Sequence, residues 1–174
     1  MAECTNKITF VLGGARSGKS SFALSRASEY EGRKAYIATA QAFDVEMQER
    51  IAKHKEERNS DWDTVEEPCG IAETVKDMSG KYEVIVIDCL TLWLSNLLLA
   101  EKDTEKEIDA IISSVVTRHA SQTFIVSNEV GMGIVPDNEL ARKFRDMAGR
   151  LNQKMAAVAD EVYLVIAGIP VKIK

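Results

Sequence analysis

The sequence has few of the residues that staple small folds or bind structural metals. It contains three cysteines, Cys4, Cys69 and Cys89, which lie far apart, and only two histidines. Because no CxxC pair is present, a structural zinc site is not expected. An odd number of thiols without a signal peptide predicts a reducing, cytoplasmic location. His119 ends a predicted helix, where an imidazole favourably meets the negative helix end, so we interpret it as structural.

Positive charge is also scarce. The chain has 22 Lys and Arg against 27 Asp and Glu, a net charge of -5. A protein that binds nucleic acid by neutralising phosphates usually carries a basic surplus, so we expect no nucleic-acid partner. A small nucleotide is not excluded, because a few local donors are enough to bind it.

Long apolar runs are missing as well. The most apolar stretch, LTLWLSNLLLA at 90–100, is too short to cross a bilayer and contains Ser95 and Asn96. We therefore expect no membrane span and predict a buried helix there. With 174 residues, 45% of them hydrophobic, the chain can bury a core as a single domain over residues 1–174.

Strand patterns alternate with helical patterns along the chain. Strands are predicted at 7–12, 34–39, 62–67, 82–88, 123–128 and in the C-terminal EVYLVIAG and PVKIK. Helices are predicted at about 20–30, 44–58, 69–80, 90–100, 104–120 and 137–159. This alternation implies right-handed crossovers, so the predicted class is α/β, with a mostly parallel sheet and helices on both faces.

The segment between the first strand and the first helix matches a phosphate-binding loop, G-x-x-x-x-G-K-S/T. It consists of Gly13, Gly14, Ala15, Arg16, Ser17, Gly18, Lys19 and Ser20. The glycines let backbone N–H groups point at phosphate oxygens, and the helix adds its positive end. Lys19 would reach the β- and γ-phosphates, and the Ser20 hydroxyl would hold Mg²⁺. The alternative, a glycine-rich turn with a chance GKS, is disfavoured by the flanking strand and helix.

Asp88 ends the apolar strand VIVID and fits the acidic position that holds Mg²⁺ through water. An aspartate at a strand end is also common as a turn or cap residue. A P-loop alone does not define the reaction, since kinases, ATPases and GTP switches all use one. A guanine-reading switch would carry N-K-x-D after a strand. Here Asn128 is followed by Glu129, Val130 and Gly131, which disfavours a switch.

One histidine lies in a highly charged run whose pattern predicts a helix. On a projection of about 100° per residue, one stripe contains Phe43, Met47, Ile51, His54 and Arg58. His54 therefore continues an apolar row and does not lie on a solvated face. Two interpretations stay open: a buried histidine that fills the core, or a nucleophile that faces the nucleotide. Lys53 and Lys55 support the second, because nearby cations offset the repulsion in attack on a polyphosphate.

Several motifs, taken in order, resemble one enzyme family. They are GGARSGKS, YIATAQ, DVEMQERIAKHK, DCLTLWLSNLL, SNEVGMGIVP and the C-terminal segment that ends in GIPVKIK. Together they resemble the bifunctional adenosylcobinamide kinase/adenosylcobinamide-phosphate guanylyltransferases of cobalamin biosynthesis, from about Ile8 to the C-terminus. Two positions depart from the family pattern. Some members have two adjacent histidines where this chain has Lys53-His54, and some have glutamate at the position of Asp88.

The resemblance implies a P-loop NTPase-like, RecA-like fold and two reactions with ATP, GTP and Mg²⁺. Adenosylcobinamide would take a phosphoryl group from ATP or GTP, and its phosphate would then take GMP from GTP through a guanylylated His54. The resemblance makes Lys19 a second catalytic residue. It also implies nucleotide contacts at Ala38, Thr39, Ala40, Lys55, Glu56, Glu57, Arg58, Glu66 and Asp88.

The resemblance further implies a homotrimer, for which the 90–100 segment or the EVGMGIVP loop could supply the interface. Two alternatives remain at this stage. The first is a single-activity small-molecule kinase in which His54 is structural. The second is a nucleotide-binding protein without catalytic activity, which the missing N-K-x-D disfavours. Transfer of labelled GMP to the protein separates the first alternative from the bifunctional enzyme.

Overall fold

The computed structural model describes residues 6–41, 61–117, 120 and 122–174. The predicted helix at 44–58 lies outside these residues, and so do His54, Lys55, Glu56, Glu57 and Arg58. His119 and Cys4 are also outside them.

The described strands form one seven-stranded sheet. They are β1 (Lys7–Gly13), β2 (Lys34–Ala38), β3 (Trp62–Glu66), β4 (Val84–Asp88), β5 (Gln122–Asn128), β6 (Glu161–Ile166) and β7 (Ile169–Lys172). Their order in the sheet is β3-β2-β4-β5-β1-β6-β7. Every neighbouring pair is parallel except the C-terminal hairpin of β6 and β7. The predicted mostly parallel sheet is confirmed.

Five helices connect the strands within the described residues. They are α1 (Lys19–Ser28), α2 (Ile71–Asp77), α3 (Leu90–Leu99), α4 (Thr104–Val116) and α5 (Glu139–Val158). Two of them begin at side-chain caps: Asp103 accepts a hydrogen bond from the Lys106 N–H, and Asn138 accepts one from the Ala141 N–H. Such caps satisfy N–H groups that have no partner within the helix, which is why these helices begin at these residues.

The sheet separates two hydrophobic clusters, and the alternating side chains of β4 illustrate both. Ile85 and Ile87 pack with residues of α2, α3, α4 and α5, whereas Val84 and Val86 pack with Ala23 of α1. A strand whose side chains are buried on both faces requires a nearly continuous apolar sequence, as VIVID provides. The predicted helices on both faces are therefore confirmed.

The apolar segment at 90–100 forms α3 and belongs to the core. Leu90, Trp93, Leu94 and Leu97 are all 0% exposed, which confirms the predicted buried helix. Only Leu99, at 70% exposure, offers a large apolar side chain to solvent from α3. The burial of the other residues within the subunit disfavours this segment as an interface between subunits. None of the helices in the described ranges is long and apolar enough to cross a membrane.

Candidate active site

The carboxyl ends of the parallel strands meet at one edge of the sheet, and the predicted site residues gather there. Gly13 ends β1, Ala38 ends β2, Glu66 ends β3 and Asp88 ends β4. In open α/β sheets, ligands bind beyond the carboxyl ends of the strands. The described part of the chain therefore places the phosphate-binding loop and the acidic residues along a single edge.

The phosphate-binding loop runs from the end of β1 to the start of α1, as the motif predicts. A side chain at Gly13 would place its Cβ in collision with Ser17 Oγ and 2.7 Å from the Val165 carbonyl oxygen. Gly18 has φ 93°, a left-handed conformation that favours glycine. Steric exclusion at Gly13 and backbone conformation at Gly18 therefore explain why the motif requires both glycines.

Lys19 lies folded over this loop. Its ammonium nitrogen donates a hydrogen bond of 3.1 Å to the Gly14 carbonyl oxygen, and the residue is only 8% exposed. Ser20 follows it in the first turn of α1, whereas Ala15 and Arg16 form the exposed outer turn of the loop. The loop thus holds its lysine at the position where phosphate oxygens would enter.

The C-terminal hairpin supports the phosphate-binding loop from behind, a contact that the motif does not reveal. The Gly168 N–H donates a 2.8 Å hydrogen bond to the Ser17 carbonyl oxygen. A Cβ on Gly18 would lie 3.2 Å from the Gly168 Cα. The Gly168-Ile169-Pro170 of the C-terminus is a sequence signal for this turn, but its partner becomes visible only when β6 pairs with β1.

Three neighbouring strands bring Glu66, Ala38 and Asp88 into one row. Ala38 pairs in register with Glu66 of β3 on one side and with Asp88 of β4 on the other. Residues paired across a sheet share a face, so both carboxylates project on the same side. Because Val84 and Val86 of β4 pack toward α1, Asp88 also faces α1 and its lysine. The structure therefore places Glu66 and Asp88 on the same face of the sheet, one on each side of Ala38. The sequence pattern supports Glu66 as a site residue less strongly than Asp88.

Asp88 has a partner that sequence reasoning missed. The Tyr36 hydroxyl donates a 2.8 Å hydrogen bond to Asp88 Oδ2. Tyr36 is 3% exposed, and its ring packs edge-on against Trp62 with the centroids 6.4 Å apart. Nothing in the sequence marks this tyrosine, because the contact depends on the register of β2 against β4.

Thr39 connects the ends of β2 and β4 through its polar groups. Its hydroxyl exchanges two 2.8 Å hydrogen bonds with the N–H and carbonyl of Cys89, and its N–H donates to the Asp88 carbonyl oxygen. Asn96 of α3 donates to the carbonyl oxygens of Thr39 and Pro68. Thr39, which is 0% exposed, therefore positions the strand ends. Its contact with nucleotide, like that of the half-buried Ala40, stays a prediction.

Cys89 is next to the site, but its thiol is unreactive. Burial and, to a smaller extent, the adjacent Asp88 charge raise the pKa of its thiol to about 12, and the Lys19 charge acts in the opposite direction. A thiol with so high a pKa is almost entirely protonated near neutrality and is a poor nucleophile.

A Mg²⁺ ion fits the oxygen donors at this edge. Mg²⁺ usually keeps several waters and binds through one or two protein oxygens plus substrate phosphates. In the described residues, no group of three His, Cys, Asp or Glu side chains could hold a metal without such a substrate. Ser20 at the start of α1 and Asp88 at the end of β4 supply the hydroxyl and the carboxylate that this coordination requires.

Known proteins are similar to this chain over nearly its whole length. The family model described as cobinamide kinase / cobinamide phosphate guanyltransferase matches residues 9–173. The chain is 42% identical over 166 residues to the bifunctional adenosylcobalamin biosynthesis protein CobP of Pseudomonas aeruginosa, covering 94% of this chain and 95% of that protein. It is 43% identical over 178 residues to the bifunctional adenosylcobalamin biosynthesis protein CobU of Escherichia coli K12, covering 94% and 98%.

Solved structures agree in fold. The crystal structure of the RadB recombinase matches with a TM-score of 0.56 and 14% identity, covering 92% of this chain and 74% of that one. At this identity the likeness concerns the fold alone, which is the predicted P-loop NTPase-like class. The sequence matches are close and extend over nearly the whole chain. The chain therefore belongs to the cobinamide kinase / cobinamide phosphate guanyltransferase family.

Proposed function

We propose that this chain carries out both reactions for which its family is named, with one edge of the sheet serving as the nucleotide site. The observation that carries the proposal is the combination of a phosphate-binding loop with an acidic row at that edge. It occurs in a chain 42% and 43% identical to two bifunctional relatives. We treat residues 1–174 as one catalytic domain.

In the first reaction, the aminopropanol hydroxyl of adenosylcobinamide attacks the γ-phosphorus of ATP or GTP. A new O–P bond forms and the hydroxyl releases its proton to solvent, while the bond from the γ-phosphorus to the β–γ bridging oxygen breaks and the nucleoside diphosphate leaves with its electron pair. The Lys19 ammonium, now bonded to Gly14, exchanges that carbonyl for phosphate oxygens. The N–H groups of 14–20 surround the same phosphates and stabilise the charge that develops on them.

In the second reaction, an imidazole nitrogen of His54 attacks the α-phosphorus of GTP. Pyrophosphate leaves, and GMP remains on the histidine as a phosphoramidate. A phosphate oxygen of adenosylcobinamide phosphate then attacks this phosphorus, displaces the histidine and gives adenosylcobinamide-GDP. The covalent intermediate divides one difficult exchange into two easier steps.

The connection between strands supports a role for the segment that contains His54. The chain leaves the sheet at the end of β2, where Ala38 lies between Glu66 and Asp88. It returns at Trp62, the first residue of β3. The segment therefore starts beside the acidic row. Lys55, Glu56, Glu57 and Arg58 within it, together with Glu66, are the proposed contacts for GTP.

Ser20 and Asp88 would hold Mg²⁺, Ser20 through its hydroxyl and Asp88 through a carboxylate oxygen and water. When bound, the ion neutralises phosphate charge and fixes the geometry of the phosphates for attack.

The enzyme is further proposed to act as a cytoplasmic homotrimer without a nucleic-acid partner. A surface loop supports the trimer, because Met132, Ile134 and Val135 are 79%, 97% and 57% exposed. Monomeric proteins rarely expose such a contiguous apolar group. The net charge of -5 supports the absence of a nucleic-acid partner.

The direct test is a product assay with adenosylcobinamide and γ-labelled ATP, followed by unlabelled GTP. The bifunctional proposal predicts labelled adenosylcobinamide phosphate first and adenosylcobinamide-GDP after GTP is added. If the reaction stopped at adenosylcobinamide phosphate, the chain would be a single-activity kinase. Failure to phosphorylate adenosylcobinamide at all would contradict the proposed kinase reaction.

A further inference from the structure

The contact between Tyr36 and Asp88 is fixed by packing on both sides. The tyrosine is 3% exposed, and Trp62 lies edge-on to its ring at an interplanar angle of 84°. Its hydroxyl is therefore directed to Asp88 Oδ2, 2.8 Å away, by the surrounding core. Asp88 itself is only half-buried, so the rest of its carboxylate faces the edge of the sheet.

The register of the sheet produces this geometry. Tyr36 pairs with Val86, and Ala38 pairs with Asp88, so the tyrosine lies one same-face position before the aspartate on the neighbouring strand. The diagonal distance between such positions is about 7–8 Å, which a tyrosine side chain can span.

The hydrogen bond makes the two oxygens of the Asp88 carboxylate unequal. Oδ2 accepts the tyrosine hydrogen bond, so a cation that chelates both oxygens competes with that bond, whereas a cation that takes only Oδ1 does not. Ca²⁺ commonly takes both oxygens of a carboxylate, whereas the smaller Mg²⁺ keeps its waters and takes one oxygen or a bound water. A carboxylate restricted to one oxygen therefore favours Mg²⁺.

We propose that Tyr36 is a positioning residue that sets the metal preference of the nucleotide site, by restricting Asp88 to one oxygen so that Mg²⁺ binds in preference to Ca²⁺. This inference rests on the proposed metal role of Asp88. Tyr36 acts through the carboxylate of Asp88.

The experiment measures the affinities of Mg²⁺ and of Ca²⁺ for the complex of the enzyme with a fluorescent, non-hydrolysable GTP analogue. Tyr36→Phe keeps the ring and its contact with Trp62 and removes only the hydroxyl. Mg²⁺ affinity is expected to fall roughly 10-fold, as is typical when a residue that orients a metal ligand is lost. Ca²⁺ affinity is expected to stay the same or increase, so the ratio of the two affinities falls by about the same factor.

Tyr30→Phe is the matched control. Tyr30 belongs to the same α1-side cluster, and its ring packs against Phe124 with the centroids 6.1 Å apart. This variant is expected to keep the wild-type ratio. If Tyr36→Phe lowered the affinities for Mg²⁺ and Ca²⁺ equally, the role of Tyr36 would be purely structural. If neither affinity changed, Tyr36 would have no role in metal binding. Either result overturns the inference.

Asp88→Asn separates this inference from the proposed function. Unchanged Mg²⁺ affinity in Asp88→Asn would overturn the metal role of Asp88 and the role of Tyr36 with it. Weakened Mg²⁺ binding in Asp88→Asn, combined with a wild-type ratio in Tyr36→Phe, would overturn only the role of Tyr36. Thermal unfolding without metal checks that each variant is folded.

Discussion

The ammonium nitrogen of Lys19 lies 3.1 Å from the carbonyl oxygen of Gly14, within the loop to which both residues belong. The lysine is 8% exposed, so its charge is already withdrawn from solvent before a phosphate arrives. Such preorganisation lowers the cost of stabilising charge in a transition state, because the group does not have to move far or lose water. The same lysine is available to both proposed reactions.

Replacing Lys19 is therefore expected to impair both activities. Lys19→Met keeps an unbranched side chain one atom shorter but removes its charge, and kcat/KM should fall roughly 100- to 1,000-fold for phosphoryl transfer and for GMP transfer. Steady-state assays of the two reactions measure this. Lys143→Met, at an exposed lysine of α5, is the control and should retain both rates. Loss of one activity alone would mean that the two reactions use different phosphate sites.

The crowding at Gly13 predicts a sharp effect of a single methyl group. Gly13→Ala would force a Cβ to within 2.7 Å of the Val165 carbonyl oxygen, so the free energy of unfolding should drop by about 1–3 kcal/mol and nucleotide affinity should fall. Gly149→Ala, in open space within α5, should instead raise the free energy of unfolding by about 1 kcal/mol. Urea unfolding and nucleotide titration measure the two quantities. A Gly13→Ala protein with wild-type stability would contradict the steric explanation.

Local patterns explain why most of the fold could be predicted from the sequence. The apolar run before Asp88 predicted a strand buried on both faces, and the glycines around Lys19 predicted the phosphate-binding loop. The contacts of Tyr36 with Asp88 and of Gly168 with Ser17 could not be predicted. Both depend on which strands are neighbours and in what register, and a single sequence does not encode that in any short pattern.

Glu161 at the start of β6 predicts a loss of stability in acid. Burial opposes its charge, but hydrogen bonds from Lys172 and Lys7 outweigh burial and lower its pKa to about 2. A lowered carboxyl pKa contributes stability that is complete above the ordinary value and lost as the pH falls toward 2. Thermal unfolding should therefore show a decline below about pH 4.5 that is smaller in Glu161→Gln.

The same substitution has an expected effect near neutrality. Glu161→Gln removes the charge that two lysines contact, and at pH 7 the free energy of unfolding should drop by about 2 kcal/mol. Glu139→Gln, at an exposed pair with Lys143 4.0 Å away, should change it little. Equal pH profiles for wild type and Glu161→Gln would show that Glu161 does not account for the acid sensitivity.

The exposed apolar side chains of Met132, Ile134 and Val135 predict the site of self-association. Ile134→Glu places a charge at a residue that is 97% exposed, so it should convert the proposed trimer to monomer without lowering the stability of the subunit. Light scattering after gel filtration measures the mass. Leu99→Glu, at the single large apolar side chain that α3 exposes, is the matched comparison and should leave the trimer intact. A monomer from Leu99→Glu alone would assign the interface to α3.

The most direct measurement is mass spectrometry of the enzyme after incubation with GTP and Mg²⁺ in the absence of cobinamide phosphate. The intact protein should gain one GMP, peptide mapping should locate it on His54, and addition of adenosylcobinamide phosphate should remove it as adenosylcobinamide-GDP. His54→Ala should gain none. An adduct on another residue, or adenosylcobinamide-GDP formed by His54→Ala at the wild-type rate, would contradict the covalent transfer through this histidine.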